Sequence, residues 1–154
     1  MTLTVSLEDE PATNRLATAL AHALPDKPAG LVFLLQGELG AGKSTLARGM
    51  LRALGHDGTV PSPTYTLVEP YTFAEFTIYH IDLYRIASVD ELEFLGWDEF
   101  ADELSLIEWP ERVPGLSEQA DLLIQLRYAG NGRLAELSAL SGRGTAILGG
   151  IDLK

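Results

Sequence analysis

Residues 37–44, Gly-Glu-Leu-Gly-Ala-Gly-Lys-Ser, complete a G-x-x-x-x-G-K-[ST] pattern, the residue order of a loop that cradles phosphate. Each residue type has a physical task there. Gly37, Gly40 and Gly42 open backbone angles that a side chain obstructs, so successive amide N–H groups converge on an anion. Glu38, Leu39 and Ala41 complete that nucleotide-contacting backbone, and Thr45 extends it into the next turn. Lys43 brings an ammonium to the β- and γ-phosphates, and Ser44 offers a hydroxyl to Mg²⁺. A helix beginning near Lys43 adds the positive end of its dipole. The flanks make a generic string specific: an apolar run at 31–36 precedes it and a helix-like stretch at 45–54 follows, giving strand, loop, helix. The competing reading is a glycine-rich turn before an ordinary capped helix.

A nucleotide site of this kind also needs acids at the ends of apolar strands. Asp82 follows Ile78-Tyr-His-Ile81, and Glu108 follows Leu104-Ser-Leu-Ile107. If both strands neighbour the loop strand, both carboxylates lie near the γ-phosphate. One then holds the metal, and the other orients or deprotonates the attacking water. Spacing does not assign the two roles, and a plain strand-end carboxylate at the surface is the alternative for each. Glu38 opposes a polyanion unless it meets water, metal or the nucleophile; an outward-pointing side chain is its rival reading. Thr64, on the proline-braced segment 60–64, suits a switch that senses the γ-phosphate and Mg²⁺, or is a simple turn threonine. Trp109 stacks near the nucleotide or a partner, or else packs in the core. His80 reads as a strand histidine with a satisfied hydrogen bond, and His22 and His56 are too scattered to join it in a metal cluster. Arg85 reaches phosphate or forms a surface ion pair. No arginine stands out as an internal finger, so a partner is the source of one if it is needed.

The elements that must position these groups follow from periodicity. Residues 2–7 alternate as in a half-buried strand. Residues 11–24 repeat apolar positions at helical spacing, with Pro11 near the start. Two prolines keep 60–64 out of a central strand. Runs at 65–71 and 76–83 suggest an antiparallel pair. Ser88-Val-Asp-Glu91 is a capping-box pattern that opens a helix. Residues 104–107 form a short buried strand, and runs at 121–128 and 133–140 flank Gly130-Asn-Gly132 in a hairpin. The expected architecture is α/β: a P-loop NTPase-type three-layer sandwich with a mixed parallel/antiparallel sheet. It occupies 1–154 as one domain, with a glycine-rich peripheral tail from about 141.

The chain has 154 residues, no cysteine and a net charge of −11. The length fits one domain with a real core. Disulfides and thiolate metal sites are excluded. No apolar run approaches the ~20 residues of a membrane span, and no basic leader is visible, so the expectation is a cytoplasmic protein that does not bind membranes. Nine acids lie between Ile86 and Glu111 with no Lys or Arg among them. Such a surface repels nucleic acid, and it is either a solvated face or a docking face for a basic partner. Only 11 Lys and Arg occur in the chain, which disfavours a small-molecule kinase with a basic lid. A non-hydrolysing nucleotide switch is the other alternative. The absence of an Asn-Lys-x-Asp guanine signature favours ATP over GTP.

The order of four segments is specific: the 37–44 loop, Ser62-Pro-Thr-Tyr65, His80-Ile-Asp-Leu-Tyr-Arg85 and Ile107-Glu-Trp-Pro110. Over about residues 5–137 the chain resembles the bacterial TsaE (YjeE) family. The resemblance implies a small Mg²⁺-dependent P-loop ATPase with a mixed sheet. It implies a role in threonylcarbamoyl modification of the adenosine next to the anticodon in tRNAs that read ANN codons. The partner it implies is the TsaB–TsaD heterodimer, with tRNA met only through the complex. ATP hydrolysis would reset that complex between cycles, while TsaD performs the transfer. Residue by residue, Lys43 matches the phosphate lysine and Ser44 the metal-binding hydroxyl, where Thr is commoner. Asp82 matches the Walker-B-like acid, Glu108 the second acid near Mg²⁺ and water, Thr64 the switch threonine, and Trp109 a nucleotide-proximal tryptophan. Glu38 departs from the usual Asp and carries its charge on a longer arm.

Overall fold

The computed structural model describes residues 1–63, 67–100 and 102–153. In chain order the elements are β1 (Thr2–Leu7), α1 (Glu10–His22), β2 (Val32–Gly37), α2 (Lys43–Ala53), β3 (Val68–Thr72), β4 (Thr77–Asp82), α3 (Val89–Phe94), α4 (Trp97–Phe100), β5 (Leu104–Glu108), β6 (Leu122–Ala129), β7 (Gly132–Ala139) and α5 (Gly142–Gly149). Two 3₁₀ turns, Pro110–Arg112 and Leu116–Gln119, follow β5.

The strands form one mixed sheet of seven in the order β1-β7-β6-β2-β5-β4-β3. β2 lies at its centre, parallel to β5 on one side and β6 on the other. Its apolar run needs cover on both faces, as central parallel strands do, and it has it. Phe33 and Leu35 join Leu16 and Leu20 of α1, Leu46 and Met50 of α2, and Ile147 and Leu148 of α5. Val32 and Leu34 join Leu92 of α3 with Trp97 and Phe100 of α4 on the opposite face. Helices on both faces of a mixed sheet make the expected three layers. β3 carries Pro70 and occupies the sheet edge, where a missing N–H donor costs no ladder bond.

Local chemistry sets the boundaries. Asp9 caps α1 by accepting from the Ala12 amide at 2.9 Å, with Pro11 in the first turn. α3 begins where the capping-box pattern expects it, directly after Ser88, but without the bonds of the box. Ser88 stands at the N-cap but its side chain makes no cap bond. Glu91 accepts instead from the Ala87 amide at 3.3 Å, so the reciprocal box is not closed and the helix is short. The first strand of the expected hairpin begins only at Val68. Leu67 is left-handed with φ 70, which ends extended pairing there; Tyr65 and Thr66 lie outside the described residues.

The tail from 141 is not peripheral. Ser141 caps α5 by accepting from the Gly144 amide at 3.0 Å, and its hydroxyl donates to Asp121 Oδ1 at 2.7 Å. Asp121 Oδ2 accepts from the Val32 amide at 2.9 Å. One carboxylate therefore ties the start of the phosphate-loop strand to the last helix. Gly144 is required at this junction, because a Cβ there would lie 1.8 Å from the Asp121 carbonyl oxygen.

Candidate functional site

β2 delivers the chain into the loop and α2 leaves it, beginning at Lys43. Gly40 and Gly42 have φ of +80 and +110, values that L side chains rarely adopt. Gly37 is needed for a different reason: a Cβ there would sit 2.7 Å from the Leu126 carbonyl oxygen of the neighbouring β6. The loop is thus pinched between the sheet and its own helix, with its amides at the head of α2. The Lys43 ammonium folds onto the loop, donating to the carbonyls of Gly37 and, at 3.3 Å, of Glu38. It also stands 4.0 Å from the centroid of the Trp109 ring. Burial pushes its pKa below the ordinary 10.5, against the opposing pull of Glu108, Glu111 and Asp82. A buried ammonium held by carbonyls could exchange them for the oxygens of an anion bound to the loop.

Glu108 ends β5, directly beside β2 and opposite Leu35. It accepts from the Ser44 hydroxyl at 3.1 Å, and its Oε2 lies 2.5 Å from His80 Nε2. Asp82 ends β4 and pairs in register with Glu108. The condition that both acid strands neighbour the loop strand is met by β5 alone. β4 lies one strand further out, and Asp82 comes to the site through its register with Glu108. Asp82 Oδ1 accepts from the Tyr84 amide at 2.8 Å, and its side chain is buried. Ser44 and Glu108 are hard oxygen donors in contact beside the loop, with Asp82 on the next strand in register with Glu108; donors of this type could hold Mg²⁺ with most of its waters retained.

Trp109 sits in the left-handed region at φ 58, an uncommon and strained setting for a bulky side chain. Pro110 then fixes the start of the 3₁₀ turn. That backbone turn places the indole over Lys43 and 4.9 Å from the Tyr84 ring. Glu38 and Leu39 are exposed, Ala41 is buried, and Thr45 lines a cleft of about 290 Å³ with Gly40, Gly42, Asn131 and Arg133. Thr64 lies outside the described residues.

His80 is the strand histidine with a satisfied hydrogen bond that the sequence suggested, but its partner Glu108 was not foreseen, and Tyr128 and Arg133 escaped sequence reading altogether. His80 is buried, and while Nε2 meets Glu108, Nδ1 has no partner among the described residues. Its signal was parity: His80 and Asp82, two apart on a strand, share a face. The C-terminal hairpin fastens the loop. Tyr128 Oη donates to the Leu39 carbonyl at 2.6 Å, and Arg133 donates to the Gly40 carbonyl at 3.2 Å. Arg133 also covers the Tyr128 ring at 4.2 Å. No local motif announces such contacts from residues nearly a hundred positions away.

The family model described as "Threonylcarbamoyl adenosine biosynthesis protein TsaE" matches residues 7–135. The chain belongs to the TsaE family. Similar members include the tRNA threonylcarbamoyladenosine biosynthesis protein TsaE of Haemophilus influenzae, 48% identical over 120 residues, covering 77% of this chain and 76% of that one. The protein of the same name from Synechocystis is 42% identical over 119 residues, 73% of each chain. The Bacillus subtilis protein is 37% identical over 130 residues, 83% of this chain and 77% of that one. The crystal structure of Bacillus subtilis YdiB superposes with a TM-score of 0.78 at 27% identity, over 97% of this chain and 93% of the other. TsaE membership thus agrees with the mixed seven-stranded sheet and the loop geometry. Among the described residues no helix is long and apolar enough to cross a membrane, and no group of three or more His, Cys, Asp or Glu has metal-site spacing.

Proposed function

We propose that this chain is a Mg²⁺-dependent ATPase that serves threonylcarbamoyl modification of tRNA by binding the TsaB–TsaD pair and resetting it through ATP hydrolysis. The observation that carries the reading is the hydrogen bond from the Ser44 hydroxyl, in the first turn of α2, to Glu108 at the end of β5, 3.1 Å. It couples the phosphate cradle to an acid.

In this reading the loop amides and Lys43 hold the β- and γ-phosphates. The cleft beside Thr45, Asn131 and Arg133 belongs to the hairpin on the β6 side of β2, while Glu108 ends β5 on the other side, and in this reading the cleft takes the nucleoside. Ser44 and the acids hold Mg²⁺, which when bound neutralises phosphate charge. Glu108 and Asp82 divide metal holding and water orientation between them, and His80 keeps Glu108 in place from behind. Trp109 confines Lys43 to the phosphate side. The chain's −11 charge repels tRNA, so tRNA is met only through the partner pair.

The test is phosphate release from Mg·ATP, with and without TsaB–TsaD, for the wild type and Lys43→Ala. The expected result is slow release alone, marked stimulation by the pair, and neither in the variant. Release that ignores the pair would separate the ATPase from its assigned cycle. Unchanged release in Lys43→Ala would overturn the ATPase reading.

A further inference from the structure

Phe94 is 92% exposed, more than any other large hydrophobic residue among those described. It ends α3 and forms one wall of a hollow of about 430 Å³ whose other walls are Leu67, Ile86, Leu95 and the carboxylates Asp90 and Glu91. Glu93, Asp98, Glu99 and Asp102 are exposed on or just after the same pair of short helices. No Lys or Arg occurs from 86 to 111. A fully exposed phenylalanine beside an apolar hollow is costly to leave in water, and such patches rimmed by polar groups mark interaction sites.

We infer that this hollow docks a partner protein that presents an apolar side chain ringed by lysine and arginine, and that docking acts on Asp82. The inference rests on the partner-dependent cycle proposed above and names the surface it uses. The charge selects the occupant. A second copy of the chain would set acids against acids, which is repulsive. A nucleic acid is repelled outright. A basic protein surface gains both steering from the rim and desolvation at the centre.

The hollow is joined to the nucleotide site from two sides. The carbonyl of Leu67, a residue held left-handed, accepts from the Asp82 amide at 2.9 Å, and the Leu67 amide donates to the Pro63 carbonyl at 2.8 Å. On the other side Ile86 donates to the Leu83 carbonyl at 3.0 Å, closing a turn that starts directly after Asp82. An occupant that seats on Leu67 and Ile86 grips both flanks of that acid. Partner binding and turnover are thereby linked through a few backbone hydrogen bonds.

The experiment uses the 154-residue chain with the TsaB–TsaD pair. The variants are Phe94→Ser and the double variant Asp90→Lys with Glu93→Lys. Affinity for the pair is measured at low and high salt, and phosphate release with and without the pair. Phe94→Ser is expected to weaken binding by at least about tenfold and to lose stimulation, with basal release and melting temperature unchanged. The double variant is expected to bind weakly with a flattened salt dependence. Wild-type affinity for the pair retained in Phe94→Ser overturns the docking surface and leaves the cycle standing. Failure of the wild type to bind the pair overturns both. A wild-type dimer that Phe94→Ser dissolves overturns the inference in favour of a second copy.

Discussion

Asp121→Ala is expected to destabilise the chain by about 3 kcal/mol, because Asp121 joins three separate elements. Its Oδ2 accepts from the Val32 amide at 2.9 Å and its Oδ1 from the Ser141 hydroxyl at 2.7 Å. The Val32 amide opens the central strand and has no route to water, so orphaning it costs about 2 kcal/mol. Ser141 is only half-buried and turns to solvent, for a loss of about 1 kcal/mol. At 2–4 °C per kcal/mol for a chain of this size, the melting temperature falls by about 6–12 °C. Asp121→Asn separates geometry from charge. Its oxygen can still accept from Val32 and its amide can donate to Ser141, whose hydroxyl retains a free lone pair, so the fall should be about 2–4 °C. Thermal unfolding followed by circular dichroism reads both. Hydrogen exchange adds a local readout, with faster exchange expected at Val32 and in α5. A fall below about 2 °C for Asp121→Ala, or equal falls for both variants, would refute the accounting by hydrogen bonds.

Other substitutions test the site and the core. Glu108→Gln keeps an acceptor for Ser44 but removes the charge; turnover should fall by about 100-fold or more while ATP affinity changes little, and equal losses would assign Glu108 to binding. Tyr71 has a buried hydroxyl with no partner among the described residues, so Tyr71→Phe should leave stability unchanged or raise it by up to about 1 kcal/mol in urea titration. The same variant carries a pH signature. Burial, and then the charge of Glu69, raise the Tyr71 pKa above 10.0, so the fold favours the neutral ring. That contribution is intact below about pH 10 and is lost as pH rises from there toward the folded value, and Tyr71→Phe should flatten the alkaline decline.

The candidate site's backbone frame was legible where it was local. The loop, its strand and its helix are contiguous, so periodicity and glycine placement located them without tertiary information. Glu108 and Asp82 were legible as strand ends, but strand order was not. Nothing in the spacing says that β5 lies between β2 and β4, and so the direct Ser44 contact falls to Glu108. The tail from 141 misled for the same reason. Three glycines in 142–149 argue against a helix on propensity, and the cap at Ser141 with its long-range anchor on Asp121 overrides them. The pattern at Ser88 marked the start of α3 correctly, although its box bonds do not form and Glu91 accepts from Ala87 instead.

The order of strands also dictates when the site can exist. Phe33 lies opposite both Leu106 and Leu122, and Thr2 opposite Ser138. A ribosome extruding this chain releases the phosphate loop long before either strand that flanks it, and β1 waits for β7. The early chain therefore exposes an unpaired apolar strand, the condition that invites chaperones and slows folding. Ser44 gains Glu108 only after β5 has emerged, and Leu39 and Gly40 gain Tyr128 and Arg133 later still. Completion of the candidate site is thus a late event in biogenesis, and a nascent chain stalled before β7 holds the whole phosphate-loop motif without the hairpin that fastens it.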